Sequence, residues 1–247
     1  MGSGGRSAGC PGGGLVTRLL RRAGVVLVLW CAAYAKEGTR VVIPHDTLFR
    51  ADYQVPAGTI CIIEPGVTIS FAGYHRLVVE GMLIAEGTSS RPILFTAANR
   101  TRGSRDEPGW KGVEVRGSEG YGRFVHCRFE GAYRNLVWGA SAVFDSCEFS
   151  GNHYALYCAA KARPHISNSR FHGNRIAVSA DFAAPLLLDN RITDNLVGVH
   201  LQVRSEGIVG RNIIMNNRVN LHSETPLGSS DGSTSLHHLW NLMQQLY

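Results

Sequence analysis

No C-x-x-C, H-E-x-x-H or phosphate-loop pattern occurs in the 247 residues. The compact signatures of thiol redox chemistry, zinc proteolysis and nucleotide binding are therefore missing. Charge is sparse, with Asp, Glu, Lys and Arg making up 18% of the chain. The formal net charge is +6, but Arg6, Arg18, Arg21 and Arg22 fall in the first 35 residues, which hold no acid. Removing those four leaves 21 basic against 19 acidic residues, and that near balance takes away the electrostatic case for a nucleic-acid partner. After the leader no apolar run is long enough to span a bilayer.

The first 35 residues are different in kind. The arginines, the apolar run AGVVLVLWCAA and the Ala33-Tyr34-Ala35 site have the order of a secretory signal peptide, with cleavage predicted after Ala35. The protein is then expected to be secreted, periplasmic or held in a cell envelope; an uncleaved membrane anchor is the competing reading. Cys10 and Cys31 leave with the leader, and Cys61, Cys127, Cys147 and Cys158 remain. Cys127 and Cys147 share a repeat position, at a spacing a disulfide could bridge. Their next equivalents, Ser169, Asn190 and Asn212, favour a ladder of small buried residues instead. Asn99-Arg100-Thr101 has the N-glycosylation pattern, which matters only in a host with that machinery.

What the chain has in abundance is turns and short apolar stations. VHCRFEGA starts at Val125, DSCEFSGN at Asp145, SNSRFHGN at Ser167, LDNRITDN at Leu188 and GRNIIMNN at Gly210, steps of 20, 22, 21 and 22 residues. A period in that range marks a solenoid. Each unit carries three apolar stations: Phe124, Phe144, Ile166, Leu187 and Val209; then Phe129, Phe149, Phe171, Ile192 and Ile214; then Leu136, Leu156, Val178, Val199 and Leu221. Stations this short, rich in Phe, Val and Ile, predict strands rather than helices. Three strands per turn follow, with a Phe129-Phe149-Phe171 stack in a continuous core. A leucine-rich repeat has a similar period, but only LLLDNRITDN approaches its leucine spacing.

From Val41 to Phe95 the repeats are less regular but alternate Val and Ile between Pro-Gly and Glu-Gly turns, which reads as the first coils of the same solenoid. Residues 99–109, NRTRGSRDEPG, interrupt the rhythm as a projecting loop. Residues 36–222 are thus one predicted solenoid domain and residues 223–232 a polar linker. Residues 233–247 are a predicted amphipathic helix with Leu236, Leu239, Trp240, Met243 and Leu246 on one face. Such a helix would cap the open end of the solenoid or dock a protein partner.

VPAGTICIIEPGVTISF, the LVVEGMLIAEGT and RPILFTA segments, Trp110 and the F-x-G-N units resemble secreted proteins of the pectin-lyase-like superfamily, with its carbohydrate-binding and sugar-hydrolase repeats. The resemblance covers roughly residues 41–222. It implies an all-β, single-stranded right-handed parallel β-helix of about 20–22 residues per coil. It does not choose among lyases, glycosidases, adhesins and accessory proteins.

Hydrolysis on this scaffold needs converging carboxylates, and the registered repeats offer none: Glu130 is followed by Ser150, His172 and Thr193. Arg128, Arg170 and Arg191 align with Glu148 as a mostly basic surface ladder, a candidate face for an acidic polysaccharide. Asp106 and Glu107 beside Trp110 are a second candidate, an acid pair next to an aromatic on a loop. His200 and His222 share a repeat position and are weak metal candidates. No cofactor is implied. The expectation is an exported, non-catalytic envelope protein that binds carbohydrate or serves a structural or interaction role, with a polysaccharide or another envelope component as its partner. A polysaccharide lyase or glycoside hydrolase is the alternative, and a periplasmic copper accessory protein is the third.

Overall fold

Short alternating stations leave half their side chains facing inward, and they can bury that half only by pairing with an equivalent station one turn away. In a computed structural model, residues 38–99, 104–202, 204–205 and 207–224 are described. Among them are twenty-four strands, numbered in chain order from β1 (Thr39–Ile43) to β24 (Val219–Ser223), and no helix. They form three parallel sheets of eight strands each. Every turn gives one strand to each sheet, as β1, β2 (Thr47–Phe49) and β3 (Tyr53–Val55) do in the first. The result is a parallel β-solenoid of eight turns. Most turns repeat in 20 to 22 residues, as Thr39 pairs with Thr59 and Leu187 with Val209.

The loop predicted at residues 99–109 lies between strands Ile93–Ala97 and Gly112–Arg116, and it lengthens one turn so that Met82 pairs with Tyr121. The last strand runs to Ser223, one residue past the predicted boundary. The predicted leader (1–35), most of the linker and the amphipathic helix (233–247) lie outside the described residues.

The aromatic stack forms and is longer than predicted. Phe95, Phe129, Phe149 and Phe171 stack face to face with centroids 4.9, 4.7 and 4.5 Å apart. Phe124 stacks on Phe144 at 4.8 Å from the neighbouring sheet and meets this column edge-on. All are fully or almost fully buried, each contributing about 2–3 kcal/mol of apolar burial. At one corner of every turn from Asn152 onward an asparagine replaces apolar packing. The Oδ1 of Asn174 accepts both the backbone N–H and Nδ2–H of Asn152, and its Nδ2 donates to the Phe149 carbonyl and to Asn195 Oδ1. Asn195 and Asn217 continue the ladder. The corner backbone, which cannot reach water, is satisfied this way. The four cysteines among the described residues are free and buried, Cys127 and Cys147 among them as the ladder reading expected.

Candidate ligand-binding cleft on the third sheet

Register partners on successive turns keep the same side, so outward residues line up in rows. On the third sheet one row runs Val78, Glu114, Leu136, Tyr157, Ser179, His200 and His222. The sequence spacing puts Val137 in this row. The structure puts Leu136 there, because β12 (Arg134–Trp138) and β15 (Tyr154–Ala159) slip in register between Arg134 and Leu136. At the slip Asn135 is buried, its Oδ1 accepting the Val113 N–H at 3.1 Å and its Nδ2 donating to the Ala155 carbonyl at 2.9 Å. A rule that counts apolar spacing does not foresee a buried amide satisfied on both sides.

Toward its N-terminal end this face opens into a shallow cleft of about 180 Å³ lined by Tyr74, Arg76, Lys111, Glu114, Tyr133 and Arg134. Arg76 begins β6 (Arg76–Val79) and sits between two carboxylates. Its Nε donates to Asp52 Oδ2 at 2.9 Å, and its Nη1 donates to both Glu114 oxygens at 3.0 and 3.1 Å. Glu114 is buried on β9 (Gly112–Arg116), so this guanidinium offsets the desolvation of its charge. Burial alone would raise the Asp52 carboxyl. Hydrogen bonds from the Arg76 side chain and backbone, with the charges of Lys111 and Arg76, outweigh it and hold Asp52 below the ordinary carboxylate range.

Two tyrosines and two cations complete the cleft. The Tyr74 and Tyr133 rings are 6.3 Å apart, centroid to centroid, at 57°. Lys111 Nζ lies 5.7 Å from the Tyr74 centroid, and the Arg134 guanidinium lies 6.0 Å from Tyr133 and 5.3 Å from Tyr157. Arg134 Nε is buried with no hydrogen-bond partner among the described residues. Burial and a hydrogen bond donated to Asp181 push the Tyr157 hydroxyl up to about 12, so it stays protonated. Lys111 and Arg134 are neighbours because β9 and β12 approach closely at Gly112. There φ is +120°, and a Cβ would collide with the Arg134 carbonyl.

The residues singled out from sequence are distributed differently. Arg128, Glu148, Arg170 and Arg191 do form one row, on the second sheet. Arg128 lies 3.0 Å from Glu148 and 3.4 Å from Glu130, and His172 lies 2.9 Å from Glu148. Arg170 and Arg191 are exposed and in no ion pair among the described residues. Burial would raise the Glu148 carboxyl, but hydrogen bonds and charge from His172 and Arg128 lower it.

Trp110 is a correction. It is fully buried, stacked on Phe71 at 5.0 Å and 8°, with its indole N–H donating to the Glu130 carbonyl at 2.8 Å. Both its faces and its polar tip are taken by the core, so it offers nothing to a sugar. Asp106 is exposed, 3.6 Å from Arg105 and 4.0 Å from Arg175, and the Glu107 N–H donates to Ser104 Oγ. The Arg105 carbonyl meets His153 Nδ1 at 3.2 Å, which ties the loop to the corner two turns on.

The sequence reading passed over Tyr74, Arg76, Lys111, Glu114, Tyr133 and Arg134. A signal was there: Tyr74-His75-Arg76 and Tyr133-Arg134 each lead into a strand of the third sheet. Chemically the cleft can present aromatic faces and two cations to an anionic ligand.

No curated protein and no solved structure matches the chain. Residues 110–234, just over half of the sequence, match the family model described as a right handed beta helix region, and the chain belongs to that family.

Proposed function

We propose that this protein is an exported, non-catalytic binding protein of the cell envelope whose ligand is an acidic polysaccharide held in the third-sheet cleft. The supporting observation is Arg134, whose guanidinium lies over Tyr133 and Tyr157 while its Nε is buried and unpartnered. The buried Nε is out of a ligand's reach, so the terminal guanidinium nitrogens are the ones that would meet a ligand carboxylate, in a charge-assisted hydrogen bond. Arginine suits that role because its planar fork matches carboxylate geometry. Lys111 supplies the second charge, and Tyr74 and Tyr133 supply the apolar faces on which a sugar ring packs. The nearby acids favour binding over hydrolysis. A hydrolytic pair needs one carboxylic acid that keeps its proton, and Asp52 is held ionised by Arg76.

The test is retention of the purified full chain on an immobilised polyuronate and on a neutral glucan, with new reducing or unsaturated ends measured in the same incubation. Binding to the polyuronate alone is expected, falling tenfold or more in Arg134→Ala and in Lys111→Ala. Equal retention of Arg134→Ala would remove the cleft as the site. New chain ends would make the protein an enzyme.

A further inference from the structure

The same outer row of the third sheet ends in a second cluster. His200 on β21 (Val197–Leu201) and His222 on β24 are register partners, and their ring centroids are 5.0 Å apart with planes at 54°. Glu224 lies just beyond β24, and its Oε1 is 2.9 Å from His200 Nε2. One donor atom from each of the three lies within 4.8 Å of the other two. The repeat alignment brings the two histidines together but stops short of Glu224, which the diagonal from one turn to the next delivers.

We infer that His200, His222 and Glu224 form an exchangeable site for a divalent transition-metal ion, independent of the saccharide cleft. Two ligands bound to one zinc at about 2.0–2.1 Å in tetrahedral geometry stand about 3.3 Å apart. The His200 and Glu224 donors are 2.9 Å apart, all three donors lie within 4.8 Å of one another, and the exposed His222 side chain can swing toward the other two. Parallel pairing fixes the two backbones about 4.8 Å apart, so the strands preset most of the ligand geometry. His200 is already oriented by Glu224.

Two imidazoles and one carboxylate select a metal of intermediate softness. Copper(II), nickel(II) and zinc fit, with copper(II) bound most tightly; calcium and magnesium, which take oxygen ligands, do not. Three protein ligands leave at least one coordination position to solvent, the arrangement of an open site rather than a closed structural one. Because His200 and His222–Glu224 lie on successive turns, the ion would also fasten the last described turn to the one before it.

The test is calorimetric titration of the purified full chain with Cu²⁺ and Zn²⁺, with Co²⁺ absorbance as a report of imidazole ligation. One equivalent is expected to bind. It should be lost in His200→Ala and in His222→Gln, weakened at least tenfold in Glu224→Gln, and kept in the control His237→Ala/His238→Ala, which removes the adjacent histidines near the C-terminus. His222→Gln changes only an exposed side chain on the edge strand and keeps the test valid if His200→Ala unfolds. Absence of binding in the wild type, persistence in the His200→Ala/His222→Gln double variant, or loss in the His237→Ala/His238→Ala control would each overturn the assignment.

Discussion

The Cys147 thiol reaches back one turn to the carbonyl oxygen of Phe124, at 3.4 Å. Two and three turns later the same bond is made by an amide: Asn190 Nδ2 to the Ile166 carbonyl at 2.9 Å, and Asn212 Nδ2 to Leu187 at 2.8 Å. Cys127 does the same toward Ala85 at 3.2 Å. One position thus closes one corner in four of the later turns, with weak sulfur donors at Cys127 and Cys147 and strong amide donors at Asn190 and Asn212, while Ser169 between them donates to the Ser167 carbonyl of its own turn. The other corner uses Asn152, Asn174, Asn195 and Asn217.

Removing a strong rung should cost more than removing a weak one. Asn174→Ala orphans the buried N–H groups of Asn152 and the Phe149 carbonyl, so a loss of about 3 kcal/mol or more is expected. Cys147→Ala removes one thiol and is expected to cost about 1–2 kcal/mol. Urea unfolding of both variants checks the order, and equal costs would mean that the asparagine ladder is not what holds the corner.

The same burial makes the thiols inert. Desolvation pushes the Cys61 thiol up to about 12 and raises those of Cys127 and Cys158 well above the usual value. The reactive thiolate of these three is absent at neutral pH, and burial alone shields Cys147 from a reagent. Cys61, Cys127, Cys147 and Cys158 are expected to resist a disulfide reagent in the folded protein and to react together on unfolding, as peptide mapping would show.

Trp110 separates a packing role from a binding role. Trp110→Ala opens a cavity beside Phe71 and removes the indole donor from the Glu130 carbonyl, at a cost of about 3–5 kcal/mol. Polyuronate retention per folded molecule should be unchanged in Trp110→Phe. A loss of retention with the fold intact would restore the tryptophan to the binding surface.

How much of this was legible follows from where the repeat is regular. The ladder Arg128, Glu148, Arg170, Arg191 and the Phe129, Phe149, Phe171 column were readable because turns from Val125 onward keep a nearly constant length and a common motif. The cleft was not, because Tyr74, Arg76, Lys111 and Glu114 lie on turns separated by the inserted loop, where no period relates them. Trp110 was misplaced because a loop-flanking aromatic looks the same in sequence whether it turns outward or, as here, fills a corner that asparagine fills later. Leu136 was misregistered by a single buried amide.

Asp52 predicts a pH signature. Its folded carboxyl lies below the unfolded value of about 3.9, so its contribution to stability is fully present above that pH and is lost as pH falls through the folded value. The stability gap between wild type and Asp52→Asn should be open at pH 7 and close as acid protonates the wild-type carboxylate. Urea midpoints across that range measure it. A gap that does not change with pH would show that the Asp52–Arg76 pair contributes through packing and not through charge.

The two basic faces can be told apart by one substitution. Glu148 is the acid in the row between Arg128 and Arg170 and also holds His172, so Glu148→Gln makes the second sheet more positive without touching the third. If a polyuronate lay along that row, the variant would bind it several-fold more tightly at low salt, with the gain fading toward about 1 M as the Debye length shrinks to about 3 Å. With the ligand in the cleft, retention of Glu148→Gln should match wild type at every salt concentration, while Arg134→Ala falls. Arg170→Glu serves as the opposite probe of the same row: unchanged retention keeps the polymer on the third sheet, and a loss comparable to that of Arg134→Ala would move it to the second.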